Sequence, residues 1–207
     1  MLSKTELTKL QQQLTEYDRT REKLLELSRK TTRLAGWAII QIHRGQIPKA
    51  RMTLKDAEQS VTEIVNLFDE RSELKQSGFT IVALQEFSEA KILFGFVTKQ
   101  RVLSQRDVGV SWMPYLLGLL DFIGELRRMT MDHLKAGNLK EAQGTFESME
   151  AIFEDLVSLD RTSIVPTFRR KMDVAKKLVE ITRADVISDI RRVSLEKAVK
   201  NLEKRMR

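Results

Sequence analysis

The sequence predicts an all-α protein, a single-domain bundle of about six or seven helices with long first and last helices. Apolar residues recur every three or four positions through most of the 207 residues, the spacing that places them on one face of a helix. Only nine glycines and three prolines interrupt the chain. No segment alternates apolar and polar residues between turn residues, as strands do. Long helices packed on one another are therefore expected.

The first predicted helix is very long. It begins near Ser3 or Lys4, because Ser3 and Glu6 have the spacing of a capping box, and its apolar rhythm continues to Gly45. Pro48 suits the first turn of a second helix, which we predict to extend to about residue 75.

The third and fourth predicted helices are the most apolar. After Gly78 the third helix extends to about residue 103, and the stretch 104–111 is predicted to be a linker. The fourth helix covers 112–136 and ends at Gly137, a residue that commonly terminates helices.

Two more helices complete the predicted fold. A shorter helix begins after Asn138 and ends at about Leu159, followed by a turn at Asp160, Arg161 and Thr162. The last helix is predicted to begin near Ser163 or Pro166 and to reach the C-terminus with breaks.

The composition excludes several classes of enzyme. The chain has no cysteine, which removes disulfides, thiolate catalysis and cysteine-based zinc sites. The chain has only two histidines, His43 and His133, which are few for a catalytic triad or a histidine-rich metal site. A four-helix di-iron site needs two Glu-x-x-His pairs and is excluded. The catalytic chemistry that remains available is that of carboxylates with a metal ion, with lysine and arginine as binding groups.

The chain is basic, with a formal net charge of +7 and a sequence pI of about 9.7. This balance points weakly to an anionic partner such as nucleic acid. Much of the excess positive charge lies after residue 185. We therefore divide the chain into a helical domain, 1–185, and a basic C-terminal helix or tail, 186–207. A solvated helix face also explains such a charge.

Targeting signals are not visible in the sequence. No apolar run reaches the roughly 18 residues of a membrane span, and the first residues lack the apolar core of a signal peptide. We therefore expect a cytoplasmic protein without a membrane partner.

Four carboxylates, Glu86, Glu89, Asp121 and Glu125, form two pairs inside the most apolar helices. Residues three or four positions apart share a helix face, so each pair projects from one side of its helix. If the helices pack antiparallel, four oxygen donors converge where a hard divalent cation such as Mg²⁺ would bind. Ion pairs with basic residues of other helices, or the edge of a solvated face, explain the same composition.

Longer motifs surround these acids. The segments LQEFSEA, residues 84–90, and YLLGLLDFIGELRRM, residues 115–129, follow LSR at 27–29 and HRG at 43–45. Together they resemble the translin family, and specifically its catalytic branch, the translin-associated factor X type. The resemblance covers nearly the whole chain up to Asp185.

This resemblance implies a function for the acids. The translin branch has basic and histidine residues at the first acid segment and binds nucleic acid without cutting it, whereas this chain has Glu86 and Glu89. By resemblance, Glu86, Glu89, Asp121 and Glu125 are the metal-binding catalytic residues of a Mg²⁺-dependent endoribonuclease, with Mn²⁺ as an alternative ion. Glu125 is either a ligand or a general base.

The resemblance also implies partners. Family members resemble seven-helix bundles that form closed octamers around nucleic acid, so we expect a homo-oligomer that binds single-stranded or short structured RNA. Single-stranded DNA is a further candidate ligand, and a translin-type subunit is a candidate partner. Basic residues near the resembling segments would hold the substrate phosphates: Arg29, Lys30, Arg33, Lys91, Arg127 and Arg128.

Two other functions are consistent with the same sequence. The first is a non-catalytic oligomeric protein of the translin type that binds single-stranded RNA or DNA and uses the acids for structure. The second is a helical scaffold for other proteins, suggested by the similar turns HRGQIPKA and KAGNLKEA. Their glycines, Gly45 and Gly137, are too far apart for a regular helical repeat.

Overall fold

The computed structural model describes residues 2–70, 72–159 and 166–206. These residues form seven α-helices and one 3₁₀ helix, and no strand occurs among them. The all-α fold class is therefore confirmed. The helices are α1 (Lys4–His43), α2 (Ile47–Glu70), α3 (Gly78–Lys99), α4 (Gln105–Val108), α5 (Trp112–Lys135), α6 (Leu139–Ser158) and α7 (Pro166–Arg205), and the 3₁₀ helix is Ser72–Gln76.

The chain divides into two compact units. Unit 1 comprises residues 1–119 and unit 2 comprises residues 120–207. The division falls inside α5, so the first part of that helix belongs to unit 1 and the remainder to unit 2.

The core of unit 1 is built from α1, α2 and α3, which pack on one another. Leu24, Ile64, Phe87 and Leu93 are completely buried there, as the apolar rhythm of these helices requires. Thr53 of α2 donates a hydrogen bond of 2.9 Å to the Gln41 side chain of α1.

Only the second half of α1 contributes to that core. Its buried residues begin at Leu24, whereas the preceding helical residues are exposed except for the half-buried Thr20. Leu7, Leu10, Leu14 and Tyr17 recur at alternating spacings of three and four and are all exposed. The first half of α1 therefore presents an apolar stripe that no described part of unit 1 covers.

The segment between α3 and α5 differs from its prediction. Helix α3 ends at Lys99 because Gln100 adopts a left-handed conformation, with φ of 54°. The predicted linker contains the short helix α4, which begins with a capping box between Ser104 and Asp107. Helix α4 ends at Gly109, where a φ of 83° suits glycine.

Unit 2 contains the second part of α5 with α6 and α7. Helix α6 packs on α7, and the Arg183 guanidinium of α7 donates hydrogen bonds of 2.6 and 2.8 Å to one Glu150 oxygen of α6. Helix α7 is continuous across residues 185 and 186 and shows no break between Pro166 and Arg205. The predicted turn at residues 160–162 and the alternative helix start at Ser163 lie outside the described residues.

No helix within the described ranges combines sufficient length with sufficient apolarity to cross a membrane.

Two buried hydroxyls in α1 have an energetic consequence. Ser28 and Thr31 are 3% and 0% exposed, and their hydroxyls have no hydrogen-bond partner among the described residues. A buried hydroxyl without a partner loses its hydrogen bonds to water and gains none in return.

We expect Thr31→Val to raise the free energy of unfolding by about 1 kcal/mol, because valine keeps the shape and removes the unpaired hydroxyl. The matched control is Thr80→Val, since Thr80 is equally buried but shares a 2.7 Å hydrogen bond with Ser77. Denaturant unfolding should show the control less stable than the parent. A loss of stability in Thr31→Val would contradict the conclusion that the Thr31 hydroxyl has no hydrogen-bond partner.

Candidate functional site

The first acid pair lies on α3 in unit 1. Glu89 is 8% exposed and Glu86 is half-buried, and the two residues are three positions apart on one face of the helix. Phe87 and Ala90, which lie beside them in the chain, are completely buried. Neither acid stands on a fully solvated face.

A close backbone contact fixes the surroundings of Glu89. A Cβ atom added to Gly118 of α5 would lie 2.7 Å from the Ser88 Cβ, 2.9 Å from the Gln85 carbonyl oxygen and 3.0 Å from the Glu89 nitrogen. Only glycine fits at this distance. The first part of α5 therefore packs directly on the turn of α3 that carries Glu89.

The second acid pair lies on the part of α5 that belongs to unit 2. Asp121 and Glu125 are half-buried and four positions apart, so they share a helix face. The Lys171 ammonium of α7 donates a hydrogen bond to the Asp121 carboxylate and forms an ion pair with it. The side chains of Asp121 and Lys171 are 24% and 29% exposed, so this pair is largely shielded from water.

Lys171 is not among the site residues predicted from the sequence. It stands among other basic residues in FRRKMD near the start of α7, and nothing in that segment distinguishes it. The pair with Asp121 depends on how α7 packs against α5, which is a long-range contact. The alternative that an acid pairs with a base from another helix therefore applies to Asp121.

The four acids have the chemistry that a Mg²⁺ site requires, since carboxylate oxygens are the preferred ligands of this ion. Lys171 also shows that the Asp121 position accepts a cation. Within the described ranges, however, no three acidic or histidine side chains lie close enough together to hold a metal ion. The described residues therefore contain two acid pairs but no assembled metal site.

One predicted RNA-binding residue of α5 has a partner within the protein. Arg127 donates a 2.7 Å hydrogen bond to the Thr182 hydroxyl and lies 3.3 Å from the Asp185 carboxylate, and both partners are on α7. These contacts stabilise unit 2. The adjacent Arg128 is exposed.

The other predicted RNA-binding residues lie in unit 1. Arg29, Lys30 and Arg33 are exposed on α1, and the Arg33 guanidinium lies 5.6 Å from the centre of the Trp37 ring. Lys91 of α3 forms an ion pair of 3.0 Å with Glu58 of α2. The contacts of these residues with RNA remain predictions.

The comparisons with known proteins define the class of this chain. The Translin family model matches residues 19–181, so the chain belongs to the translin family. It is also 30% identical over 200 residues to uncharacterized protein MJ0175 of Methanocaldococcus jannaschii, covering 96% of this chain and 89% of that protein.

Solved structures show the same fold. AfC3PO is 29% identical, covers 88% of this chain and 96% of its own, and superposes with a TM-score of 0.80. AfC3PO in complex with duplex RNA is 28% identical, covers 88% and 95% of the two chains, and has a TM-score of 0.78. Apo-NeC3PO, at 20% identity, covers 91% and 98% with a TM-score of 0.82 and supports the fold alone.

We expect Gly118→Ala to lower the free energy of unfolding by about 1–3 kcal/mol, because the added methyl group overlaps Ser88 and the backbone of α3. Gly124→Ala in the same helix is the matched control. No atom lies within 4 Å of its Cβ position, so alanine should stabilise α5 by up to about 1 kcal/mol. Denaturant unfolding measures the difference, and equal stability of the two variants would contradict the close contact.

Proposed function

We propose that this protein is a Mg²⁺-dependent endoribonuclease of the translin-associated factor X type, which binds and cleaves single-stranded or short structured RNA. The observation that carries the proposal is the pair of shielded carboxylates on each of two apolar helices, Glu86 with Glu89 and Asp121 with Glu125. Membership of the translin family and the likeness to AfC3PO, solved with duplex RNA, support an RNA ligand.

Each acid has a proposed role. Glu86, Glu89 and Asp121 would hold the metal ion, with Mn²⁺ as an alternative to Mg²⁺. The bound ion would supply positive charge to the phosphoryl oxygens during hydrolysis. Glu125 would either complete the ligand set or accept the proton of the attacking water as a general base.

Lys171 has a role in this proposal as well. Its ammonium neutralises Asp121 in the structure, so a metal ion and Lys171 would compete for the same carboxylate. Once released, the ammonium would be a cation close to the acids and suited to a substrate phosphate.

The oligomeric state is part of the proposal. The exposed stripe of Leu7, Leu10, Leu14 and Tyr17 on α1 has the spacing of a helix that packs against another helix. We propose that it is covered within a homo-oligomer, with a translin-type subunit as the alternative partner.

A non-catalytic protein that binds RNA or single-stranded DNA is the second candidate. The ion pair between Asp121 and Lys171 favours it, because an acid held by an internal lysine can serve structure alone. The two functions differ in their dependence on metal.

The proposed nuclease is tested with a labelled single-stranded RNA in Mg²⁺ or in chelator. We expect cleavage in Mg²⁺ only, and a decrease of about a hundredfold or more in Asp121→Asn and Glu125→Gln. Asp132→Asn is the matched control, since Asp132 is an exposed acid of the same helix. RNA binding without cleavage by the parent protein would support the second candidate instead.

Competition by Lys171 is tested through Mg²⁺ binding measured by calorimetry. We expect Lys171→Met to bind Mg²⁺ about fivefold more tightly than the parent, because a competing charge is removed. Lys176→Met, which removes an exposed lysine of the same helix, is the control and should bind as the parent does. Equal affinities of the Lys171 variant and the parent would show that the lysine does not compete.

A further inference from the structure

A pocket of about 460 Å³ lies in unit 1 among α2, α3 and the segment that carries α4. Its apolar part is formed by Leu54, Phe94 and Leu103, and its charged part includes Arg51, Lys55 and Lys99. We call it the α2–α3 pocket. The volume falls within the range of pockets that hold small molecules, about 300–1,000 Å³.

Two specific contacts build the pocket. A Cβ atom at Gly95 would lie 2.4 Å from the Leu103 Cγ, so the absence of a side chain lets Leu103 pack on α3. The Tyr115 hydroxyl donates a 2.8 Å hydrogen bond to the Leu103 carbonyl oxygen. Leu103 is 6% exposed, and its backbone and side chain are thereby held in place.

The charges of the pocket favour an anion. Its lining contains four basic residues and two acids, Glu58 and Asp107. Glu58 forms an ion pair with Lys91, and Asp107 lies 3.6 Å from Arg101, which is outside the lining. Hydrogen bonds from the Ser104 hydroxyl and backbone, together with nearby positive charges, lower the pKa of Asp107 and keep it ionised.

Of the remaining cations of the lining, Lys99 lies near enough to Asp107 to contribute to its lowered pKa. Lys55 and Lys99 are exposed lining residues and form no ion pair within the part of the chain that the structure describes. Such ammonium groups are suited to phosphate, because they act as compact charges that carry several donors.

An aromatic ring and a guanidinium group also line the pocket. The Arg51 guanidinium lies over the Phe94 ring, with 5.2 Å between the guanidinium carbon and the ring centre. Nucleic-acid bases stack on aromatic rings and on guanidinium planes with little regard to sequence. The pocket thus combines groups on which a base can stack, an apolar floor and free positive charge.

The pocket and the first acid pair use different faces of α3. With about 100° of rotation per residue, the lining residues Lys91 and Gly95 each lie about 120° or more around the helix from both Glu86 and Glu89. The pocket is therefore distinct from the carboxylates of the proposed nuclease site.

We infer that the α2–α3 pocket binds a nucleoside monophosphate group, with the base on the Arg51–Phe94 pair and the phosphate at Lys55 and Lys99. The group comes either from a free mononucleotide or from the terminal nucleotide of an RNA strand that carries a phosphate. This inference does not require that the four acids cleave RNA.

The inference is tested by calorimetry at low salt with 5′-AMP, inorganic phosphate and adenosine as separate ligands. We expect 5′-AMP to bind the parent protein more tightly than either fragment, because base and phosphate contacts act together. Lys99→Met and Lys55→Met should each weaken 5′-AMP binding about tenfold. Lys49→Met is the matched control, since it removes an exposed lysine of α2 that does not line the pocket.

The results distinguish an RNA strand end from a free nucleotide as the ligand, and both from the absence of a nucleotide site. Tighter binding of a 5′-phosphorylated oligonucleotide than of its 5′-hydroxyl form, lost in Lys99→Met, would identify the strand end as the ligand. Equal binding of the two forms, with 5′-AMP still bound, would identify the free nucleotide. Absence of 5′-AMP binding, or equal weakening by Lys49→Met, would overturn the inference while leaving metal-dependent cleavage to be judged by the acid variants.

Discussion

The need to neutralise carboxylates inside apolar helices is the constraint on which the rest of this structure depends. An ionised acid shielded from water is unfavourable unless a cation or hydrogen-bond donors lie beside it. Asp121 satisfies this need through Lys171, which joins α5 to α7 within unit 2. The same need makes the acid pairs suited to a divalent cation. An internal lysine and a bound metal ion are thus two alternative ways to neutralise such carboxylates.

Close backbone contacts at two glycines determine what surrounds α3. Gly118 lets α5 approach the turn that carries Glu89, and Gly95 lets Leu103 pack against α3 about two turns further along. Because a methyl group at either position would overlap its neighbours, the packing on α3 is specified by the absence of side chains. Helix α3 consequently presents an acidic face and a pocket-forming face, with separate proposed ligands.

Only some of the basic residues behind the positive net charge are available to a ligand. Arg127 and Lys91 pair with acids of their own unit, so part of the positive charge stabilises the fold. Exposed Arg29 and Lys30 on α1, and Lys55 and Lys99 beside the α2–α3 pocket, remain directed to solvent. Charge that is unpaired in the fold is the part that can attract an anionic ligand.

The sequence by itself determined the helices, the family and the positions of the acids, because apolar periodicity, capping residues and glycine stops act within a few residues of the chain. It placed α1 from Lys4 almost to its observed end, but it missed α4, which rests on the local bonds of Ser104 and Asp107. Only the tertiary structure decided that Lys171 pairs with Asp121, that Gly118 touches α3, and that Arg51, Phe94 and Lys99 line one pocket. These contacts join residues far apart in the chain, and their formation depends on the register between packed helices, which periodicity does not specify.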